Sequence, residues 1–312
     1  LSPMSIARSI LLWGSQNAWL EGQAKRRSFA QRAVRRFMPG EQLDDAFTAA
    51  ATLAGRGMGT VLTQLGEALG AAAEADAVRD HYLAVLEQIE TRALPAVISV
   101  KPTQLGIDFD VGACHARIET LAARAAARGD RVWIDMEDSS YVDVTLDLFR
   151  QLRSRHDNVG VCIQSYLRRS ATDLEGLLPL KPAIRLVKGA YAEPATVAFP
   201  DKRDTDASYT ALATTLIEQA ARHGGVPPVL GTHDVKIIRS LQHTAAAAGL
   251  DRKACAIHML YGIRTAEQDR FHREGHAVRV LISYGSAWFR WYMRRLAERP
   301  ANLWFVARSA FG

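Results

Sequence analysis

Short apolar runs alternate with amphipathic segments along most of the chain. The runs that have the length of strands are GTVLTQL, AVISVKPTQL, RVWIDME, NVGVCIQSY, AIRLVKGA, PVLGTHD, ACAIHML and VRVLISY. Between them lie segments such as DVTLDLFRQLRSR and YTALATTLIEQAARHG, whose apolar residues recur every three to four positions. That period predicts helices, and the Gly and Pro residues near their ends predict the turns between them.

The order of these segments predicts the fold class. Strands that are apolar almost throughout, each followed by a helix, are typical of a parallel sheet covered by helices. Eight of them over about 230 residues favour an α/β fold of the distorted (βα)8 TIM-like barrel type. An open, doubly wound sheet remains the alternative.

The two ends of the chain differ from this alternating middle. Residues 1–57 are rich in Ala and Arg with helical spacing, broken at MPGE (38–41), and predict an N-terminal helical arm. The barrel is then expected over residues 58–312. Near the C-terminus, SYGSAWFRWYMRRLAERPANLWFV predicts a final helix that places Trp291, Arg294 and Arg295 on one face.

Composition narrows the class of protein. The 312 residues are 48% hydrophobic and carry a formal net charge of +6, but no long basic block, so nucleic-acid binding is not expected. The three cysteines are far apart in apolar surroundings, which indicates reduced thiols. No segment approaches the ~20 apolar residues of a membrane span. We expect a cytoplasmic protein with at most peripheral contact with the inner face of the membrane.

Polar residues stand where the predicted strands end. The active sites of (βα)8 barrels lie at those carboxyl ends, and a charged residue there is costly unless it faces a lined cavity with partners. We therefore predict one site built from these side chains. They are Glu67, Lys101, Asp135, Glu137, Gln164, Arg185, Lys188, Tyr191, Thr232, His233 and Tyr284.

Several common site types are not indicated by the sequence. No G-x-G-x-x-G follows the first strand, and neither a phosphate-binding P-loop nor a G-x-S-x-G elbow occurs. His272 and His276 lack the H-E-x-x-H order, so no metal site is expected. A barrel lyase or aldolase that uses Lys101 or Lys188 as a Schiff-base amine remains open.

Taken together, these motifs resemble the flavin-dependent proline dehydrogenase family. The matching blocks occur in the family's order from RRFMPGE (35–41) to ANLWFV (301–306). Between those two lie LGE (65–67), SVKPTQLG (99–106), IDMED (134–138), IRLVKGAY (184–191), THD (232–234), MLYGIR (259–264) and RRLAERPAN (294–302). The resemblance implies a barrel that binds FAD and oxidises proline to pyrroline-5-carboxylate by hydride transfer to flavin N5.

The resemblance also implies partners and cofactor contacts. The electrons would pass to a quinone or another acceptor, and a pyrroline-5-carboxylate dehydrogenase would be a further partner. Arg185 would lie near flavin N5, and Gln164 would bind the pyrimidine side of the ring. The cofactor-binding residues implied by position are Asp135, Gln164, Arg185, Lys188, Gly189, Ala190, Thr232 and His233.

On the substrate side, the resemblance implies that cations clamp a carboxylate while the final helix lids the barrel mouth. Lys101 would act with Arg294 and Arg295, and Glu67 would pair with Arg294 as a gate. The catalytic residues implied in this way are Lys101, Asp135, Arg185, Tyr191, Leu260, Arg294, Arg295 and Glu298.

The substrate half departs from the family pattern at several positions. Where the family has VYVPYG this chain has VLISYG, which introduces Leu281 and Ser283, and Trp291 and Arg168 replace tyrosines. These changes predict a reshaped pocket for proline or a close cyclic analogue, with unmodified proline a poor substrate. A barrel that binds FAD with little turnover, acting as a redox or binding protein, is the alternative.

Overall fold

A closed barrel of parallel strands forms the centre of the molecule. The computed structural model describes residues 17–26, 34–66 and 69–298, and its strands pair in sequence order with the last strand against the first. The strands are β1 (Gly59–Gln64), β2 (Ala96–Val100), β3 (Val132–Ile134), β4 (Val159–Gln164), β5 (Ala183–Val187), β6 (Val229–Gly231), β7 (Ile257–Leu260) and β8 (Val278–Tyr284). The predicted (βα)8 barrel is confirmed, and the open sheet is wrong.

Helices connect the strands and cover the barrel. They are α1 (Ala18–Arg26), α2 (Leu43–Gly55), α3 (Ala73–Thr91), α4 (Val111–Ala126), α5 (Val142–Arg153), α6 (Ser170–Leu177), α7 (Lys202–His223), α8 (Val235–Ala247), α9 (Thr265–Arg273) and α10 (Trp288–Glu298). In α5 the buried residues Val142, Leu146, Phe149 and Leu152 recur every three to four positions, as the sequence predicted.

Alternation along each strand divides the side chains between two environments. In β2, for example, Ile98 and Val100 point outward and join the main core beneath the helices. Val97 points inward and packs with other small apolar residues in the middle of the barrel. Ser99, between the two outward residues, therefore also faces the interior, and so does Lys101 at the end of the strand.

One large side chain fills the centre of the barrel interior. Trp133 of β3 is almost completely buried among Val61, Val97 and Val229. Its ring fits because the neighbouring strand has Gly160 directly opposite, in register with Trp133. A Cβ atom at Gly160 would lie 2.7 Å from the Trp133 ring, closer than real Cβ contacts come.

The last helix packs at the mouth of the barrel. Helix α10 contributes Trp288, Phe289, Trp291, Tyr292 and Leu296 to an apolar cluster that also contains residues at 34–38 and Leu65. Leu65 follows the carboxyl end of β1, so the helix lies over that side of the mouth. The position expected of a lid helix is confirmed.

Residues that precede the barrel anchor this lid. The buried indole N–H of Trp288 donates a hydrogen bond to Glu41 Oε1 at 2.8 Å. Gly262, which has a φ of +71°, lets the loop after β7 approach this segment, because a Cβ there would lie 1.6 Å from the Arg36 carbonyl oxygen. Helix α2 buries Phe47 and Leu53 in the barrel's main core. The division of the chain at residue 57 stays a prediction.

We predict that Gly160→Ala destabilises the protein by about 1–3 kcal/mol, the usual cost of inserting a group into a packed core. The added methyl group would collide with Trp133. Urea unfolding, followed by circular dichroism, measures this loss as a lower midpoint with an unchanged slope.

The control is Gly55→Ala, the same substitution in the last turn of α2, where no atom lies within 4 Å of the added Cβ. It should leave stability unchanged or slightly higher, because Ala is a better helix former than Gly. Equal midpoints for the two variants would mean that Gly160 is not needed to seat Trp133.

Candidate active site

Polar side chains of four neighbouring strands meet in the upper barrel interior, near the carboxyl ends of the strands. They come from β2, β3, β4 and β5 or the residues that follow them, and most are almost fully buried. The group comprises Ser99, Lys101, Asp135, Cys162, Gln164 and Arg185. The structure thus brings together Lys101, Asp135, Gln164 and Arg185, as the sequence predicted.

Asp135 is the centre of this group. Its Oδ2 accepts a hydrogen bond from Lys101 Nζ at 3.0 Å. Its Oδ1 accepts one from Ser99 Oγ at 2.7 Å and also contacts Arg185 Nη2. One carboxylate therefore pairs with two cations, and the group keeps one excess positive charge.

The charges stabilise one another against burial. Burial alone would raise the pKa of Asp135, but Lys101 and Arg185 lower it to about 2. Burial would lower the pKa of Lys101, whereas Asp135 raises it above its usual value. Lys101 is therefore a protonated ammonium at neutral pH, which does not suit a Schiff-base nucleophile. The excess positive charge suits an anionic group on a ligand, such as a carboxylate.

The Arg185 guanidinium is held along one edge. Its Nε donates to Cys162 Sγ at 2.9 Å, and its Nη2 donates to Ser99 Oγ at 2.8 Å. Burial raises the pKa of the Cys162 thiol to about 11, although Arg185 acts in the opposite direction. Cys162 therefore stays protonated and fixes the arginine without acting as a nucleophile.

Two buried polar atoms of this group lack a hydrogen-bond partner within the described parts of the chain. One is Nη1 of Arg185, a donor, and the other is Oε1 of Gln164, an acceptor. The Gln164 amide is fixed because its Nε2 donates to the Glu137 carbonyl oxygen at 3.1 Å. A buried donor and acceptor left open on neighbouring strands suit a flat ring that offers both an acceptor and a donor.

Glu137 supports the loops beside this group. Its carboxylate accepts hydrogen bonds from the Thr103 backbone N–H at 3.0 Å and from the Thr103 hydroxyl at 2.6 Å. The segment after β3, which carries the carbonyl bound by Gln164, is thereby tied to the segment after β2.

A second group lies where β5, β6 and β7 end. Lys188 Nζ contacts carboxylate oxygens of Asp206 and of Asp234, the latter at 3.2 Å. Thr232 Oγ1 accepts a hydrogen bond from the Asp234 backbone N–H at 3.2 Å. The Leu260 N–H donates to His233 Nε2 at 3.4 Å. The predicted residues Lys188, Thr232, His233 and Leu260 thus share this part of the rim.

The loop after β5 contains the predicted residues Gly189, Ala190 and Tyr191, all partly exposed. Gly189 has a φ of +108°, and a Cβ there would lie 2.1 Å from the Tyr166 ring. Only glycine allows the loop to pass this close to the ring.

Other predicted residues fall outside this geometry. Glu67 lies outside the described residues. Arg294, Arg295 and Glu298 belong to α10, but their side chains are also outside the described part. Their roles stay predictions.

The positions that depart from the family pattern have varied surroundings. Arg168 is exposed, with its guanidinium over the Phe199 ring at 4.8 Å and its Nε donating to the Ala195 carbonyl oxygen at 3.0 Å. Trp291 packs in the apolar cluster of the lid. Leu281 is partly exposed against the central apolar layer of the barrel, and Ser283 is buried. Leu281 is thus the departure that faces the barrel interior with part of its surface open.

Sequence reasoning missed Ser99 and Cys162 as members of the site. Each stands two residues before a predicted site residue, Lys101 and Gln164 respectively. The two-residue period of a strand places both on the same inward face, so that signal could have found them.

Comparison with known proteins places the chain in a family. The family model for proline dehydrogenase matches residues 46–308. Proline dehydrogenase 1 of Bacillus subtilis subsp. natto is 35% identical over 303 residues, which cover 97% of this chain and 98% of the relative. Proline dehydrogenase of Deinococcus radiodurans is 37% identical over 281 residues, 88% of each chain. The chain belongs to the proline dehydrogenase family.

A solved structure agrees with this fold. Proline utilization A of Bdellovibrio bacteriovorus, inactivated by N-propargylglycine, superposes with a TM-score of 0.78 at 21% identity. The match covers 93% of this chain but only 37% of that longer one.

Of the helices in the described residues, none has both the length and the apolar character needed to cross a membrane.

We predict that Asp135→Asn destabilises the protein by about 3–5 kcal/mol, the usual cost of leaving buried charges unpaired. Lys101 and Arg185 would both lose their counter-ion. Urea unfolding at neutral pH measures the loss. The control, Asp157→Asn, changes a 99% exposed partner of Arg153 and should leave stability nearly unchanged.

A comparison of wild type with Asp135→Asn also tests the pKa of Asp135. Its pKa is lowered from an ordinary value of 3.8 to about 2, so its ionisation stabilises the folded state fully above the ordinary value. The stability difference between wild type and Asp135→Asn should therefore shrink as the pH falls from about 4 toward about 2. A difference that stays constant over this range would contradict the paired carboxylate.

Proposed function

We propose that this chain is an FAD-dependent proline dehydrogenase that oxidises proline to pyrroline-5-carboxylate. The observation that carries the proposal is the Asp135-centred group of a barrel matched by the family model, with Arg185 Nη1 buried and unbonded. Residues 58–312 would form the barrel domain and residues 1–57 its N-terminal arm.

The residues of the rim fit FAD. Gln164 and Arg185 would hold the ring through the two atoms that lack partners. Lys188, Thr232, His233, Gly189 and Ala190 would hold the remainder of the cofactor. When bound, FAD supplies the acceptor for the hydride that leaves the ring carbon next to the proline nitrogen. Arg185 would place its positive charge where negative charge grows on reduction.

The substrate side is assigned to cations and to the lid. Lys101 would bind the proline carboxylate together with Arg294 and Arg295, while Tyr191, Leu260 and Glu298 complete the pocket. Asp135 keeps Lys101 protonated for this task. A carboxylate with a pKa of about 2 is a weak base, so proline would lose its amine proton to solvent before it reacts. Helix α10 would exclude water from the bound substrate.

The remaining partners follow from the chemistry. The two electrons taken from proline need an acceptor, for which we propose a quinone or another small oxidant. The product is an imine, and a pyrroline-5-carboxylate dehydrogenase is the class of partner that would consume it. A cytoplasmic location with peripheral membrane contact fits a quinone acceptor. The alternative of a barrel with little turnover is not favoured, because the matched relatives are named as dehydrogenases.

We predict that Arg185→Met slows reduction of bound flavin by proline about 10²–10³-fold, the usual cost of removing one donor to a developing charge. Stopped-flow mixing under anaerobic conditions, followed near 450 nm, measures the rate. The oxidised spectrum should shift as well, because the donor acts on the ring before turnover.

The control is Arg222→Met, which removes an exposed arginine at the end of α7. It should be reduced at the wild-type rate. An Arg185→Met enzyme that binds FAD and is reduced as fast as wild type would contradict the assignment of Arg185. A wild-type protein that binds FAD but is never reduced by proline would contradict the proposed reaction.

The substrate pocket gives a further prediction. With Arg168 at the surface, the expectation of altered specificity depends mainly on Leu281. Because the matched relatives are named as proline dehydrogenases, we expect unmodified proline to reduce the flavin efficiently, contrary to the expectation from the sequence. Leu281→Tyr should change the ratio of reduction rates for proline and a larger ring by about 10–200-fold at most. A panel of proline, hydroxyproline, pipecolate and N-methylproline measures the ratio. An unchanged ratio would assign Leu281 to packing alone.

A further inference from the structure

A further group of basic side chains, separate from the two groups at the carboxyl ends of the strands, lies near the amino-terminal end of the barrel. It consists of Arg131, just before β3, together with His258 of β7 and Arg279 of β8; we call it the floor cluster. His258 and Arg279 are register partners on neighbouring strands. Two of the three lie against the Trp133 ring, with the His258 ring centroid 5.8 Å away and Arg131 Cζ 5.7 Å from its centre.

The arginines of the floor cluster lack a direct acidic partner among the described residues. In the described parts of the chain, neither Arg131 nor Arg279 forms a salt bridge with a carboxylate. Arg279 Nη1 donates only to backbone carbonyl oxygens, of Pro95 at 2.9 Å and of Thr60 at 3.3 Å. Asp130, the neighbour of Arg131 in sequence, pairs with Arg128 at 2.8 Å instead. The charge of Asp130 still favours the protonated form of Arg279, but no carboxylate among the described residues forms a salt bridge with either partly buried guanidinium.

Unbonded donors in the cluster indicate where a ligand would lie. Nε of Arg131 is buried and lacks a hydrogen-bond partner among the described residues. Nδ1 of His258 is in the same state, and His258 is only 5% exposed. Buried donors without partners normally find a ligand or an ordered water. Here both atoms belong to residues that lie against the Trp133 ring.

The electrostatics favour an anion over water. Burial lowers the pKa of Arg131, and repulsion from Arg153 and Arg279 lowers it further. Burial, Arg185, Arg279 and Arg131 together hold the pKa of His258 well below its usual range, so the imidazole is neutral and can donate one N–H. Uncompensated like charges in a low-dielectric interior destabilise the fold unless an anion joins them.

This cluster is separate from the proline site. Arg185, which belongs to the upper group, also lies against Trp133, with its Cζ 5.2 Å from the ring centre. Its guanidinium is turned toward Asp135 and Ser99, on the carboxyl side of the strands. Arg279 bonds instead to carbonyls at the opposite end, at or before the start of β1 and β2. Trp133 therefore stands between two basic compartments.

We propose that the floor cluster binds a small oxyanion, of the phosphate or carboxylate class. Planar guanidiniums donate paired hydrogen bonds to oxyanions, and His258 adds a third donor. The ion neutralises the lower interior of the barrel. It stabilises the folded state by an amount that grows with the logarithm of its concentration above Kd, without taking part in proline oxidation.

Thermal unfolding of the FAD-loaded enzyme tests this proposal with inorganic phosphate as the probe. Loading with FAD occupies the cofactor's own phosphate-binding region. At matched ionic strength with chloride, phosphate at about ten times its Kd should raise Tm by about 2–4 °C, and Tm should continue to rise with the logarithm of the phosphate concentration. Equilibrium dialysis should give one phosphate per chain.

Variants locate the ion. Arg131→Met and Arg279→Met should abolish the phosphate-dependent rise in Tm. If these two variants do not fold, the milder His258→Phe and Arg131→Lys replace them, and each should weaken phosphate binding several-fold. Arg155→Met, which removes a 67% exposed arginine, should keep the full response. The same Tm measurement with acetate in place of phosphate shows whether the floor cluster also binds carboxylates.

Three outcomes would overturn the proposal. Phosphate that raises Tm equally in all variants would act through general salt effects. Phosphate that competes with proline in steady-state turnover would bind in the upper compartment instead. No rise in Tm and no bound phosphate in the wild-type enzyme would leave the cluster without an oxyanion. None of these readings depends on whether proline is the best substrate.

Discussion

The ion pairs of Asp135 are the interaction on which the upper half of the barrel depends. A lone lysine inside a strand layer would be driven toward its neutral form, and a lone arginine, which stays charged, would be driven out to solvent. Because Asp135 binds Lys101 through one oxygen and Arg185 through the other, both cations remain charged and fixed. Cys162 Sγ accepts a hydrogen bond from Nε of Arg185, and Ser99 Oγ accepts one from its Nη2. The packing of four strands therefore fixes the orientation of Nη1, which has no partner among the described residues.

The centre of the barrel explains why two polar compartments can exist in one small interior. Trp133 closes the middle, and it fits there because Gly160 leaves space on the next strand. Apolar residues around the tryptophan, such as Val61 and Val97, separate the carboxyl end from the amino end. The upper compartment contains a carboxylate that pairs with both of its cations, whereas no carboxylate of the described residues forms a salt bridge with the arginines of the lower one. The arginines at the amino end of the barrel therefore have more unpaired positive charge for an anion to neutralise than the cations at the carboxyl end.

Much of this fold could be predicted from the sequence because strand alternation and helical period are local properties. All eight apolar runs became strands. Of the predicted strand-end residues, Lys101, Asp135 and Arg185 meet, whereas Lys188 lies in a separate group. The pairing of Lys188 with Asp206 and Asp234 could not be predicted, because those carboxylates are 18 and 46 residues away and meet the lysine only after the barrel closes. Arg168 illustrates a different limit: a motif position specifies order along the chain, not the direction of a side chain.

Segments outside the strands pack together at the mouth of the barrel. A buried indole N–H needs a partner, and Trp288 finds one in Glu41, far away in sequence. That bond joins α10 to the segment before α2, while Gly262 lets the loop after β7 approach the same segment. The lid is therefore held by residues that precede the barrel and by one of its own rim loops. Its closure over a substrate would depend on this anchor as much as on the charges beneath it, since a helix that is free to tilt would admit water to the site.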